Sequence, residues 1–160
     1  MRGKPGPVWQ IHANVPAERA YAYVADLTRH PEWSPEAMMI APESDGPVVV
    51  GSRFSAEGGL FSRRGRSTVT ITALAPPEQI EFEVENPATI TGHVFTFSSY
   101  GGGTTITRQP FGIKQPILSP VMGLVSRGAT NKNVVGALAK LRANLELGVQ
   151  TAQRPDLPVR

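Results

Sequence analysis

Residues 68–85 read TVTITALAPPEQIEFEVE, and this stretch decides the fold. In its second half Ile80, Phe82 and Val84 alternate with Glu81, Glu83 and Glu85, a period of two that sends successive side chains to opposite faces of a strand. In its first half Val69, Ile71 and Ala73 alternate with Thr68, Thr70 and Thr72. Between them Ala75-Pro76-Pro77-Glu78 forms a turn, because proline supplies no N–H to a strand ladder. The stretch therefore predicts two antiparallel strands, each with an apolar face for a core and a polar face for water.

Working outward, the same pattern continues on both sides. Residues 91–99 and 104–109 form the next pair, joined through Tyr100-Gly101-Gly102-Gly103, where glycine permits the positive φ of a hairpin loop. Upstream, 38–41 and 52–56 are short strands separated by the turn-rich Glu43-Ser44-Asp45-Gly46-Pro47. The first strand is Val8 to Val15, with Trp9, Ile11, Ala13 and Val15 on one face and Gln10, His12 and Asn14 on the other. Pro16 suits a first helical position and Glu18 the positive helix start, so a helix carries Ala20, Tyr21, Val24 and Leu27. A second helical turn around Thr28 to Trp33 follows, punctuated by Pro31 and Pro35.

A connector with Pro110 and Pro116 leads to the last element. Ser119-Pro120 reads as an N-cap followed by proline at the first helical position. Val121, Val125, Val135, Leu138, Leu141 and Leu145 then recur at helical spacing to about Leu147, interrupted by Gly123, Gly128 and Gly136. Residues 1–7 form an N-terminal extension, 8–148 the domain, and 149–160 a tail without periodicity. The class is α+β: a curved antiparallel sheet around a long C-terminal helix, with two short helices after the first strand.

Composition narrows the function. The 160 residues, 40% hydrophobic and 18% charged, suit one globular domain. The net charge is only +3, and Arg63, Arg64 and Arg66 form the one basic cluster, so nucleic acid is not an expected partner. The absence of cysteine excludes disulfides, thiol catalysis and Cys-ligated metals. His12, His30 and His93 lack metal-ligand spacing, and no phosphate loop or nucleophile elbow occurs, so neither metal nor cofactor is expected. Met1 to Pro7 lacks the apolar run of a secretory signal and no segment suits a membrane span, which makes a cytoplasmic protein, monomer or homodimer, the expectation.

The ordered set of segments resembles the START-like, or polyketide cyclase/dehydrase (SRPBCC), superfamily over residues 8–147. NVPAERAYAYVADLTRHPEW (14–33) looks like its strand end, Pro-started helix and Pro-Glu-Trp sequence, and VGSRF (50–54) like its glycine-led strand. TITALAPPEQIEFEV (70–84) resembles its Pro-Pro hairpin, FTFSSYGGGTTIT (95–107) its Gly-Gly-Thr hairpin, and GALAKLRANLE (136–146) its closing helix. The resemblance implies the helix-grip fold and an apolar cavity between sheet and helix. It leaves the activity open, because relatives bind lipids, hormones and sterols, cyclise polyketides or assist chaperones.

Alternation assigns Ile11, Phe54, Ala56, Val69, Ile71, Ile80, Phe82, Val84, Phe95, Phe97 and Ile106 to the cavity face. Val121, Val125 and Leu138 of the helix join them, with Trp33, Met38 and Ile40 near the mouth or wall. Of these, Trp33, Met38, Phe54, Phe82, Phe95, Phe97, Val121 and Val125 are the apolar candidates for ligand contact. Two polar residues break the pattern. Counting back from Phe95 and Phe97 turns His93 inward, and counting through the hairpin places Arg108 beside Phe95. An inward guanidinium needs a carboxylate or an oxygen-bearing ligand, so His93 and Arg108 are candidates for a polar anchor or for catalysis. A bulge in the glycine loop would instead turn Thr107 and Gln109 inward.

The resemblance also points to Arg63, Arg64 and Arg66, since some aromatase/cyclase relatives place a functional arginine before the fourth strand. The alternative for Arg66 is a surface ion pair with Glu85. Ser34 and Tyr100 carry hydroxyls at positions suited to a pocket mouth or loop. Three functions stand: binding of a lipid or polyketide-like aromatic, an aromatase/cyclase or dehydratase acting in the same cavity, and a chaperone-activator-like interaction protein.

Overall fold

The computed structural model describes residues 3–34, 39–58, 66–114 and 120–152, apart from the side chains of 120–129 and 149–152. The strands are β1 (Lys4–Pro5), β2 (Trp9–Ala13), β3 (Met39–Pro42), β4 (Arg53–Glu57), β5 (Arg66–Ala75), β6 (Gln79–Glu85), β7 (Ile90–Tyr100) and β8 (Gly103–Lys114). Helix α1 (Ala17–Ala25) and a 3-10 helix (Leu27–Glu32) follow β2, and α2 (Pro120–Ala152) closes the chain. The strands form one antiparallel, curved and unclosed sheet ordered β1-β8-β7-β6-β5-β4-β3, with β2 pairing β8 beyond β1. This is the helix-grip fold.

Two local features set the register. Gly101 and Gly102 have φ of 57° and 80°, the paired positive values of a two-residue hairpin turn, so Tyr100 pairs with Gly103. The ladder then runs without a shift through Phe97 opposite Ile106, Phe95 opposite Arg108 and His93 opposite Pro110. In β5 the register shifts between Ile71 and Ala73. Simple alternation turns Ala73 inward, but the bulge pairs Ala73 with Glu81 and Leu74 with Ile80, so Leu74 packs on the core instead.

Pro110 lies inside β8 rather than in a connector. Its carbonyl accepts the Gly6 N–H at 2.8 Å, and the N–H and C=O of one strand residue point to the same neighbour. The missing donor therefore falls where the chain passes from β1 to β2 and leaves the ladder. At the start of α1, Pro16 occupies the N-cap rather than the first helical position, with φ −61° and ψ 151°.

The core lies between the sheet and α2. Phe54, Val69, Ile71, Ile80, Phe82, Phe95, Phe97 and Ile106 are buried from the sheet, and Val134, Ala137, Leu138, Leu141 and Leu145 from the helix. Val135, read from sequence as part of the helix's apolar stripe, is 53% exposed. Val134, Leu138, Leu141 and Leu145 follow steps of four, three and four, and one residue further round the helix turns away by about 100°. Asn144 ties the 3-10 helix to α2, its Nδ2 donating to the Tyr23 hydroxyl at 3.1 Å and to the Glu32 carbonyl at 3.3 Å. Buried hydroxyls are provided for: Thr104 Oγ1 donates to the Val15 carbonyl at 2.7 Å.

Candidate functional site

The ladder register arranges the inner face in rows across the strands. One row runs Trp9, Arg108, Phe95, Ile80 and Leu74, and the next runs Pro110, His93, Phe82 and Ile71. Arg108 is therefore beside Phe95 and diagonal to His93, and it is 8% exposed in the company of Phe95 and Ile106. Its guanidinium carbon lies 5.7 Å from the Phe95 ring centre. The shifted register that would turn Thr107 and Gln109 inward does not occur, because the loop holds two residues between Tyr100 and Gly103.

Aromatic rings connect this pair to the short helices. The His93 ring centre is 5.3 Å from Phe82, which lies 6.1 Å from Phe95 and 5.6 Å from His30. Trp33 is 4.7 Å from His30 and 6.0 Å from Phe95. The result is a cluster of two histidines, an arginine and three large aromatics, drawn from four separate parts of the chain. His30 belongs to it although sequence reasoning missed it. The signal was its place in RHPEW (29–33), three residues before a buried tryptophan.

The cluster is short of hydrogen bonds. His30 Nε2 lies 2.8 Å from the Val24 carbonyl, an arrangement in which the neutral ring donates and leaves Nδ1 as an acceptor. His93 Nδ1 and Trp33 Nε1 are both sealed from solvent and have no hydrogen-bond partner. Burial, aided by the Arg108 charge, lowers His30 from 6.5 to about 4 despite its bond to Val24. Burial and then the charges of Arg108 and His30 lower His93 to about 3. Both rings are thus neutral at pH 7, and the indole and guanidinium carry donors only. The chemistry of the cluster is to offer hydrogen bonds to an oxygen in an apolar setting.

A pocket of about 260 Å³ opens between the 3-10 helix and α2, lined by Pro31, Trp33, Ser34, Lys132, Asn133, Gly136, Ala137 and Lys140. Ser34 therefore stands where the sequence placed a mouth hydroxyl. Tyr100, read from sequence as a mouth or loop residue, is 75% exposed at the hairpin turn, edge-on to His12 at 6.3 Å. A second pocket of about 190 Å³ involves Glu81, Glu83, Gly92, Val94 and Phe111, beside the N-terminal segment. Glu83, Gly92 and Phe111 share one row, and Glu81 and Val94 share another, both offset by one residue from the rows of the cluster. Phe82 and His93 of the cluster also line this pocket, from the row between those two.

Among the remaining candidates, Phe54, Phe82, Phe95 and Phe97 are buried in the core. Met38, Arg63, Arg64 and the side chains of Val121 and Val125 lie outside the described residues. Arg66 pairs with Glu57 at 3.3 Å, not with Glu85. The ladder sets Arg66 opposite Glu57 on β4, whereas Glu85 pairs with Thr68, two residues further along β5. Among the described residues no group of three His, Asp or Glu side chains could hold a metal, and no helix is long and apolar enough to cross a membrane.

Comparison with known proteins agrees with the fold. The family model described as polyketide cyclase/dehydrase and lipid transport matches residues 9–146. The Zhui aromatase/cyclase from Streptomyces sp. R1128 is similar in structure, with a TM-score of 0.75 at 13% identity over 93% of this chain and 98% of that one. A START superfamily protein from Mycobacterium smegmatis has a TM-score of 0.71 at 16% identity, over 91% of this chain and 99% of that one. The di-domain ARO/CYC StfQ from the steffimycin biosynthetic pathway has a TM-score of 0.70 at 15% identity, over 90% of this chain and 51% of that one. No curated protein matches in sequence.

Proposed function

The chain belongs to the polyketide cyclase/dehydrase and lipid transport family, and from that premise we propose that it binds a hydrophobic small molecule whose oxygen meets the Trp33–His93–Arg108 cluster. The observation that carries this reading is the pair of buried, unpartnered atoms, His93 Nδ1 and Trp33 Nε1, in an otherwise apolar interior. Leaving such a group unsatisfied costs about 1–3 kcal/mol. A carbonyl-bearing ligand, polyketide-like or lipid, would recover that cost and gain hydrogen bonds from the indole or guanidinium.

The pKa values favour binding over turnover. A general base works best with a pKa near the operating pH, and His93 at about 3 and His30 at about 4 are too weak for that role. The aromatase/cyclase alternative therefore lacks a poised proton acceptor in this cluster, and no described surface favours a chaperone partner.

Arg108→Met tests the anchor. Methionine keeps much of the length and apolar packing of the arginine stem while removing the charge, and the Tm of the variant beside that of wild type checks that it folds. Wild type is expected to bind 2-acetylnaphthalene in preference to 2-ethylnaphthalene, measured by displacement of a neutral naphthylamine dye. Arg108→Met is expected to lose about 10- to 100-fold of ketone affinity while keeping the hydrocarbon, the scale of a charge-assisted hydrogen bond. Equal ketone preference in both proteins would remove Arg108 from the site, and no binding of either compound would remove the reading.

A further inference from the structure

We propose that the pocket between the 3-10 helix and α2 holds the anionic headgroup of the ligand, with Lys132 and Lys140 as its cationic contacts. The inference rests on the binding function above and adds the class of molecule: an amphiphile with a carboxylate or phosphate at one end. At about 260 Å³ the pocket falls below the usual size of a site that swallows a whole drug-sized molecule, and suits a headgroup.

Charge gives the first argument. Lys132 and Lys140 lie eight residues apart on α2, a separation of about 12 Å along the helix, and both line the pocket. Among the described residues no carboxylate lines it with them. Arg29, Arg53, Arg66 and Arg142 each pair with a glutamate, whereas neither lysine forms an ion pair among the described residues. An ammonium group acts as a compact point charge without a fixed fork, so the pair accepts a carboxylate or a phosphate alike. Ser34 adds a hydroxyl on the facing wall.

Space and continuity give the second. Gly136 lies between the lysines, and a Cβ built on it would meet nothing within 4 Å. The absent side chain leaves the room in which a headgroup would sit. The pocket's inner wall is Trp33, whose ring packs 6.0 Å from Phe95 and whose buried Nε1 awaits an acceptor. A ligand seated between the lysines would therefore run past Trp33 toward the donors of the inner cluster.

The test compares dodecanoate, dodecyl phosphate and methyl dodecanoate as displacers of a neutral dye. Wild type is expected to bind both anions about tenfold more tightly than the ester, an advantage that shrinks in 0.5 M NaCl because exposed lysines are screened. Lys132→Gln/Lys140→Gln is expected to bind all three with the affinity of the ester. Gly136→Leu, which places a side chain into open space and improves helix propensity, is expected to fold and to lose the same preference. An anion preference that survives both variants overturns the proposal while leaving hydrophobic binding in place. Equal binding of acid and ester to wild type does the same. Failure of all three compounds to bind overturns the proposal and counts against the function beneath it. Retention of dodecanoate but not dodecyl phosphate assigns a carboxylate, and the reverse a phosphate, either outcome supporting the site.

Discussion

Lowering the pH from 7 to 5 is expected to remove on the order of 4 kcal/mol of folding stability, about half from His30 and half from His93. Both rings are held neutral in the fold, by burial first and by the Arg108 charge in addition. The sign follows from where the protons go. Above 6.5 the folded and unfolded chains are both neutral at these positions and stability is full. Below 6.5 only the unfolded chain takes up protons, at about 1.4 kcal/mol per histidine per pH unit. The loss ends at the folded values, about 4 for His30 and about 3 for His93. Urea midpoints at pH 7, 6 and 5 measure it, and His93→Leu should halve the slope. Midpoints independent of pH over this range would show that these imidazoles reach water in the folded protein.

Phe95→Ala is expected to cost about 3–5 kcal/mol, the range for emptying a large aromatic site. Phe95 is 1% exposed and joins Trp33, Phe82 and Arg108, so its removal leaves a void at the centre of the cluster. Domains of this kind rarely have more than about 5–15 kcal/mol in hand, so a substantial share of the stability goes with one ring. Tyr100→Ala provides the contrast: at 75% exposure it is expected to change stability by less than about 0.5 kcal/mol. Denaturant titration of both variants decides the point, and a Phe95→Ala midpoint equal to that of wild type would contradict the packing.

Much of this was legible in the chain itself. Strand alternation placed Ile80, Phe82, Phe95, Phe97 and Ile106 on the inner face, because a period of two survives wherever one face is buried. The orientation of Arg108 followed from counting through a glycine loop, and that count holds only because Gly101 and Gly102 close a two-residue turn. Other features were hidden for physical reasons. The β5 bulge adds one residue without a compositional mark, so Leu74 took the place expected for Ala73. Val134 and Val135 are both apolar neighbours on one helix, and tertiary packing alone decides which is buried. His30 joins the cluster through a 3-10 helix folded over the sheet, a contact that local spacing does not encode. Lys132 and Lys140 read as ordinary solvated charges until the 3-10 helix is set opposite them.

The open sheet has one further consequence, for self-association. An unclosed sheet ends in strands whose outer backbone groups can template the edge of another molecule. Among the described residues the β3 edge is Met39–Pro42, of which the last is a proline without an N–H donor. The proline leaves a second copy one backbone donor fewer to pair with at this edge. This strand lies farthest across the sheet from β1, so the proline limits edge-to-edge pairing at that end of the sheet.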